Sequence, residues 1–372
     1  MVLFVCFVIV EWLNNNDKEK PITNKTFLFS ALLFLFPLLS GLWSSNTQEW
    51  WHRAVVKIPL LIIPLAWLLC KPFNKDVYYK LSSFFILLIG ATSFWSFAKY
   101  AGNSIPVQDG YSKAAVMLVP FDNDHIRYSW AVVIAIMLSA KLIQGFVKRR
   151  AEKYFFAALI IWLIIYLHIL AAKTGLVTFY ATFFIYCTYK FFTVKNKWLP
   201  FACLVLPVVM FLLAYWLLPT FHNRVHYVWW DFQQYSNNLF TPSTSDGMRI
   251  ESWKAGANIF TGHIVSGVGF GDIKTQMHNW YSTNLGVLNE HDKIFPNQLL
   301  MYAAGAGILG LLVFIAASFF PFFSKEERKN ILWHCFFAAS LICFLTDIPL
   351  EGQYGVFLYC FFAGWYKQGM VQ

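Results

Sequence analysis

Apolar runs long enough to cross a lipid bilayer recur along this chain, and little else it can fold into is compatible with them. Stretches such as FFAALIIWLIIYLHIL at 155–170 and QLLMYAAGAGILGLLVFIAASFFPFF at 298–323 approach or exceed the ~20 residues needed to span ~30 Å of hydrocarbon. Inside hydrocarbon every backbone N–H and C=O must be satisfied within the segment or its closed sheet, so runs of this length and continuity must be helices. Composition agrees: 58% of the 372 residues are hydrophobic and 13% charged, against roughly 45–50% and 25% in ordinary globular domains. A water-soluble fold is excluded. The expected class is all-α, a polytopic membrane protein with about eleven transmembrane helices and one long loop carrying short helices.

Spans are predicted near 1–13, 26–46, 54–71, 81–101, 128–147, 154–172, 175–192, 198–218, 297–322, 330–347 and 354–367. The opening MVLFVCFVIVEWL is short for a span and has neither the positive n-region nor the small-residue cleavage site of a signal peptide. It reads as the stub of a first helix whose start is missing or misassigned. The division expected is an N-terminal bundle over 1–218, a loop with a lid helix over 219–296, and C-terminal helices over 297–372.

Net charge is +10, which in a soluble protein would suggest nucleic acid. Here it reads as topology, with no nucleic-acid partner. One alternating set of connections (14–25, 71–80, 141–153, 189–197, 324–330 and the C-terminus) holds 18 of the 29 basic residues, and the positive-inside rule puts that set in the cytoplasm. The segment 219–296 and the turns around Lys173 and 347–353 then face the outer side. The seven cysteines are scattered through apolar runs without a CxxC spacing. They read as small buried hydrophobes, with no disulfide framework and no metal.

Within the long outer segment lies SDGMRIESWKAGANIF, 245–260, an island of charge at helical spacing. A short helix is predicted, N-capped by Ser245 or Asp246, with Arg249 and Trp253 at i and i+4 and Ile250, Ala257 and Phe260 along an apolar face. Arg127, Lys173, Arg53 and Arg224 are assigned to the same side. An ionisable residue at membrane depth costs roughly 2.5–3.5 kcal/mol on insertion scales, so cations converging there point to an anionic ligand such as a diphosphate. SGVGFGD at 266–272 has GxGxG spacing without a flanking βαβ unit, which favours a tight turn over a nucleotide loop. Gly305, Gly307 and Gly310 are expected to allow close helix packing. Asp347 and Glu351 sit at an outer turn, where either carboxylate orients an arginine or acts as a base. His125, His222, His226, His263, His278 and His291 lie near the site without metal-ligand spacing.

Taken in order, these pieces resemble the O-antigen ligase and polymerase superfamily, in which lipid-linked glycans are moved at the outer face of the bacterial inner membrane. The resemblance rests on Arg249 and Trp253, on Gly267-Val268-Gly269-Phe270-Gly271, on Asn297 and Leu300, and on Gly307-Ile308-Leu309-Gly310. AAKTG looks like the family's Ser-Arg-x-Gly element with Lys173 in the Arg place, and Leu350-Glu351-Gly352-Gln353-Tyr354-Gly355-Val356 looks like an outer turn of relatives from Bacteroidota. Pro296 departs from the pattern, standing where the family usually has a histidine; His291 or His278 is the substitute.

The resemblance implies a glycosyltransferase whose donor is an oligo- or polysaccharide on undecaprenyl diphosphate, with no cofactor and no metal. The acceptor is lipid A-core for a ligase, another lipid-linked repeat for a polymerase, or protein for an O-oligosaccharyltransferase; the ligase reading comes first. It implies a multi-pass protein of the inner membrane, in contact with membrane lipids, with its active site facing the periplasm. Expected in catalysis are Arg249, Lys173, His291 and Glu351, and in substrate binding Arg127, Arg224, Trp253, Asn297 and His125. A lipid-linked sugar transporter or flippase is the alternative from a different class.

Overall fold

The computed structural model describes residues 2–13, 25–113, 115–195, 198–239, 244–286, 296–323 and 330–371. In chain order the helices are α1 (Val2–Leu13), α2 (Lys25–Leu39), α3 (Thr47–Lys57), α4 (Pro59–Leu69), α5 (Lys75–Ala101), α6 (Ser104–Tyr111), α7 (His125–Gly145) and α8 (Arg150–Leu170). They continue with α9 (Lys173–Thr193), α10 (Trp198–Leu217), α11 (Pro219–Ser236), α12 (Ser245–Gly262), α13 (Ile273–Leu285), α14 (Gln298–Phe323), α15 (Ile331–Thr346) and α16 (Gln353–Val371). No strand occurs among the described residues. Several helices begin where a polar side chain can take up the first orphan N–H groups. Asn46 accepts from Glu49, Asn74 from Val77, Asp124 from Arg127, and Asn330 from both Leu332 and Trp333.

Each of the predicted spans falls on helix. The segment predicted at 54–71 is two helices meeting at Ile58, because Pro59 has no N–H to continue α3 and instead opens α4 at its first turn. Five stretches are long and apolar enough to cross a membrane: Thr47–Leu69, Lys75–Ala101, His125–Gly145, Arg150–Leu170 and Gln298–Phe323. A sixth is added if α10 and α11, bent by 100° at Leu218, form one span. Val2–Leu13, Thr26–Leu42 and Ile331–Thr346 are apolar but shorter. Among the described residues the fold is thus helical, with five or six candidate spans of a multi-pass membrane protein rather than a confirmed eleven. The described part of 219–296 is predominantly helical, consisting of α11, α12, α13 and the turns between them.

Packing divides the chain into two compact units. One gathers Met1–Pro72, Thr241–Trp333 and Cys343–Val371; here α2 lies against α4 and α14, α12 against α14, and α16 against α4. The other comprises Phe73–Phe240 with His334–Ile342. Its centre is α7, buried continuously from Tyr128 to Ser139, with α5, α8 and α9 around it, α10 on α9, and α11 on α6 and α10.

The predicted turn after α12 is present, and its glycines have a specific task. Backbone N–H groups of Val268 and Gly269 donate to the carbonyls of Ala304 and Gly305 at 2.8 and 3.0 Å, and Ile308 N–H donates to the Ile264 carbonyl at 2.7 Å. Gly307, at φ 65° and ψ −156°, breaks α14 at that point and so exposes the carbonyls that the turn binds. On its other side the turn is held by Ser40 and Ser44, whose Oγ atoms accept from Phe270 and Gly271 N–H. Asp272 closes the arrangement by accepting from the N–H groups of Ser45 and Asn46 at 2.6 and 2.9 Å. Gly305 and Gly307 therefore admit this turn rather than a neighbouring helix: a Cβ at Gly307 would lie 2.3 Å from the Val265 carbonyl oxygen.

Gly267 has φ +66°, and a Cβ there would lie 2.5 Å from the Gly305 carbonyl carbon. Gly267→Ala is expected to destabilise the purified protein by more than about 2 kcal/mol, adding left-handed strain to backbone overlap. Gly262→Ala, with open space around its Cβ, should leave the thermal unfolding midpoint near wild type. Equal midpoints for the two variants would contradict this account of the turn.

Candidate functional site

In the second unit, three of the predicted cations come to one end of adjoining helices. Lys173 opens α9 and Arg127 lies in the first turn of α7. These two starts adjoin, since a Cβ on Gly175 would lie 2.3 Å from the Cβ of Ser129. Arg224, on α11, is buried; its Nη2 donates to the Ala115 carbonyl at 3.2 Å. Its guanidinium lies 5.1 Å from the ring centroid of Tyr111 and 5.9 Å from that of Tyr227. The Lys173 ammonium lies 5.8 Å from the same Tyr227 ring. Two cations thus share one aromatic ring, whose π-electron density offsets part of the cost of holding them together.

Local backbone geometry sets this corner. Ala171, between α8 and α9, is fully buried in the left-handed region at φ 46°, a conformation costing roughly 1–2 kcal/mol for a residue with a Cβ. Tyr111 Oη donates to the Leu170 carbonyl at 2.7 Å, and Thr220 Oγ1 donates to the Ile169 carbonyl at 2.7 Å. Burial raises the Tyr111 phenol's pKa, which keeps it a neutral donor. Before α7, Phe121, Asp122 and Asn123 are all left-handed. That turn delivers Asp124, which caps the helix and ion-pairs with Arg127. His125 is half-buried at the helix start.

Two cavities among the described residues lie in this unit. One, of about 560 Å³, is lined by Ser112, His222, Asn223, His226, Tyr227 and Trp230. The other, of about 460 Å³, is almost wholly apolar and is walled by α8 and α10, Ile161, Ile165, Leu206 and Leu213 among its residues. Ala214 lines it too, and packs in one cluster with Tyr111, Ala171 and Phe221. The apolar cavity therefore lies beside the corner that carries the cations.

In the first unit Arg53, Lys57 and Glu351 are paired with one another. Glu351 is buried at the turn before α16, and its Oε2 accepts from Arg53 Nη1 at 2.8 Å and Lys57 Nζ at 2.6 Å. Its Oε1 accepts from Gln298 Nε2 at 3.0 Å, while Gln298 Oε1 accepts from Leu350 N–H at 2.9 Å. Arg53 also pairs with Glu49 at 2.8 Å. Burial pushes the Glu351 carboxyl's pKa up, but the charges of Lys57 and Arg53 and the hydrogen bonds from Lys57 and Gln298 outweigh it and hold the group at about 2. Glu351 thus orients an arginine, one of the two parts its sequence context allowed.

Arg249 and Trp253 lie on α12 of this first unit. Arg249 is half-buried, and its guanidinium has no hydrogen bond or ion pair among the described residues; Trp253 is 38% exposed. The helix differs from expectation in two ways. Its N-cap is Thr244, with no side-chain cap bond. Its buried face is Gly247, Met248, Glu251, Ser252, Ala255, Gly256 and Ile259, while Ala257 is exposed and Ile250 and Phe260 are only half-buried. Small residues explain the rotation: a Cβ on Gly256 would lie 2.8 Å from Pro296, so α12 approaches the start of α14 along its smallest side chains. Asn297 caps α14 by accepting from Leu300 N–H at 2.9 Å. His291 lies outside the described residues.

Sequence reasoning missed Lys57, Glu49 and Gln298, and it missed Tyr111 and Tyr227. The first two were readable, because Glu49, Arg53 and Lys57 recur every four residues and so share one helix face. The others depend mainly on partners about 50 or more residues away in the chain, although Tyr227 also lies three residues from Arg224 on α11.

The chain's residues 156–315 match the model of a family described as O-antigen ligase. That stretch includes Lys173, Arg224, Arg249, Trp253 and the glycine turn; Arg53, Arg127 and Glu351 lie outside it. No curated protein matches the chain.

Removing one partner of a buried ion pair leaves an uncompensated charge, at a cost of about 3–5 kcal/mol. Glu351→Gln is therefore expected to lower the unfolding midpoint of the detergent-solubilised protein at pH 7. A carboxyl whose folded pKa is depressed below the usual 4.5 contributes its stabilisation above that value and loses it as pH falls toward 2. The gap between wild type and variant should therefore narrow on acidification below pH about 4.5. A gap that is absent at pH 7, or that widens in acid, would contradict the clamp.

Proposed function

From the premise that residues 156–315 are O-antigen ligase-like, we propose that this protein is a glycosyltransferase moving an oligo- or polysaccharide from undecaprenyl diphosphate to an acceptor. It acts at the periplasmic face of the bacterial inner membrane, as an O-antigen ligase in the first reading. A repeat-unit polymerase and a protein O-oligosaccharyltransferase share this chemistry and differ only in acceptor. The observation that carries the proposal is the meeting of Lys173 and Arg224 on the Tyr227 ring, beside an apolar cavity of about 460 Å³ suited to part of an isoprenoid chain.

In the transfer, the bond between the anomeric carbon and the diphosphate oxygen breaks, and that oxygen keeps the electron pair. Negative charge grows on the leaving group, so cations held beside it stabilise the transition state more than the ground state. Lys173 and Arg224 supply that charge, with Arg127 at the adjoining helix start. The acceptor hydroxyl attacks the anomeric carbon and gives its proton to a base, for which His291 is the proposed residue. Glu351 serves instead by holding Arg53 and Lys57, because a carboxylate with a pKa of about 2 is a weak proton acceptor. Arg249 and Trp253 are proposed to serve the transfer from α12, and Asn297 and His125 to help bind substrate. By family analogy the anomeric configuration inverts. A transporter of lipid-linked sugar would also collect cations, but it has no need of a base.

A hydrogen bond to a charged group is worth on the order of 1.5–3 kcal/mol. Lys173→Ala and Arg249→Ala should each slow transfer at least tenfold in cells while membrane levels of the protein stay normal. Full transfer by either variant would refute its assignment. Deleting the gene and resolving surface glycans on a gel separates the acceptors: loss of long chains from a normal core indicates a ligase, core plus one repeat a polymerase, and unchanged lipopolysaccharide with lost glycoprotein the third acceptor.

A further inference from the structure

The cavity of about 560 Å³ on α11 has a lining unlike that of the apolar cavity between α8 and α10. Trp230 is 47% exposed and lines the cavity, with its ring centroid 5.8 Å from that of Tyr227. Around these rings stand hydrogen-bonding groups with capacity to spare. Asn223 Nδ2 donates to the Gln108 carbonyl at 3.0 Å, which turns its Oδ1 away from that bond and leaves it able to accept. His222 uses Nδ1 toward the Tyr215 carbonyl at 3.3 Å, leaving Nε2 for a ligand. His226 Nε2 meets Tyr215 Oη at 3.0 Å, and the His222 and His226 rings lie 4.5 Å apart, so each fixes the other's orientation. Ser112 adds a hydroxyl from across the cavity.

Aromatic faces beside hydrogen-bond donors and acceptors are complementary to a pyranose ring, which presents C–H groups on one face and hydroxyls at its edge. The cavity's position adds to this, because Tyr227 is both a lining residue and the ring against which Lys173 and Arg224 rest. A ligand with its diphosphate at those cations would carry its first substituent into this space. We infer that the α11 cavity is the subsite for the diphosphate-proximal sugar of the donor, with Trp230 as the stacking platform and His222, Asn223 and Ser112 as hydroxyl partners. This inference rests on the transferase reading above, and it makes α11 the element that selects the donor sugar.

Binding of two lipids to the purified full-length protein in detergent tests it: undecaprenyl diphosphate, and undecaprenyl diphosphate bearing a single N-acetylhexosamine. Wild type should bind the sugar-bearing lipid about fivefold more tightly, the scale of one aromatic contact with a hydrogen bond. Trp230→Ala should erase that preference while leaving affinity for the bare lipid unchanged, and Trp230→Phe, which keeps a flat ring, should restore most of it. A wild type that binds the bare lipid but shows no preference, or a Trp230→Ala variant that keeps it, overturns the subsite and leaves the transferase reading standing. Failure of wild type to bind even the bare lipid overturns both.

Discussion

Charge placed inside an apolar protein must be compensated where it sits, and this chain does so in two different ways. Arg53 and Lys57 are neutralised by carboxylates, with Glu351 receiving both at 2.8 and 2.6 Å and Glu49 sharing Arg53. Arg224 rests against the faces of Tyr111 and Tyr227, and Lys173 against that of Tyr227. Cations cancelled by a buried acid have little left to offer a ligand, so the Glu351 clamp suits scaffolding.

The scaffold role of the clamp follows from what it joins. Gln298, the first residue of α14, binds Glu351, the Leu350 N–H and, through its own N–H, the Asp347 carbonyl. Fixing that end of α14 fixes the helix whose break at Gly307 receives the glycine turn, and also the surface against which Gly256 brings α12. Arg249 is thereby carried on a helix held along its C-terminal half and at the turn that follows it. Lys57 extends the same connection to the turn, its ammonium lying 5.1 Å from the centroid of Phe270.

Much of this was legible in the sequence, for physical reasons that differ from element to element. Helix content followed from apolar runs that leave the backbone no other way to satisfy itself, and α12 from its polar spacing. The turn at 266–272 was readable because its glycines lacked the flanking βαβ unit a nucleotide loop requires. What stayed hidden depended on distance along the chain. Which face of α12 is buried was decided by Pro296 and Leu300 beyond it, so Ala257 came out exposed although its own neighbours suggested otherwise. The tyrosines that hold Arg224 and Lys173 are unremarkable in a sequence that is 20% aromatic. Glu49, Arg53 and Lys57 were legible as one helix face, yet Glu351, the partner of Arg53 and Lys57, lies some 300 positions later.

The account's central claim is that the bond between sugar and diphosphate is broken at this protein rather than carried across the bilayer intact. Purified protein in proteoliposomes, supplied with a lipid-linked glycan and an acceptor glycolipid and analysed by mass spectrometry, separates the two. Undecaprenyl diphosphate released in step with extended acceptor, and lost when Lys173 and Arg224 are replaced together, is the predicted result. Intact glycan lipid moving between leaflets with no diphosphate released would contradict it.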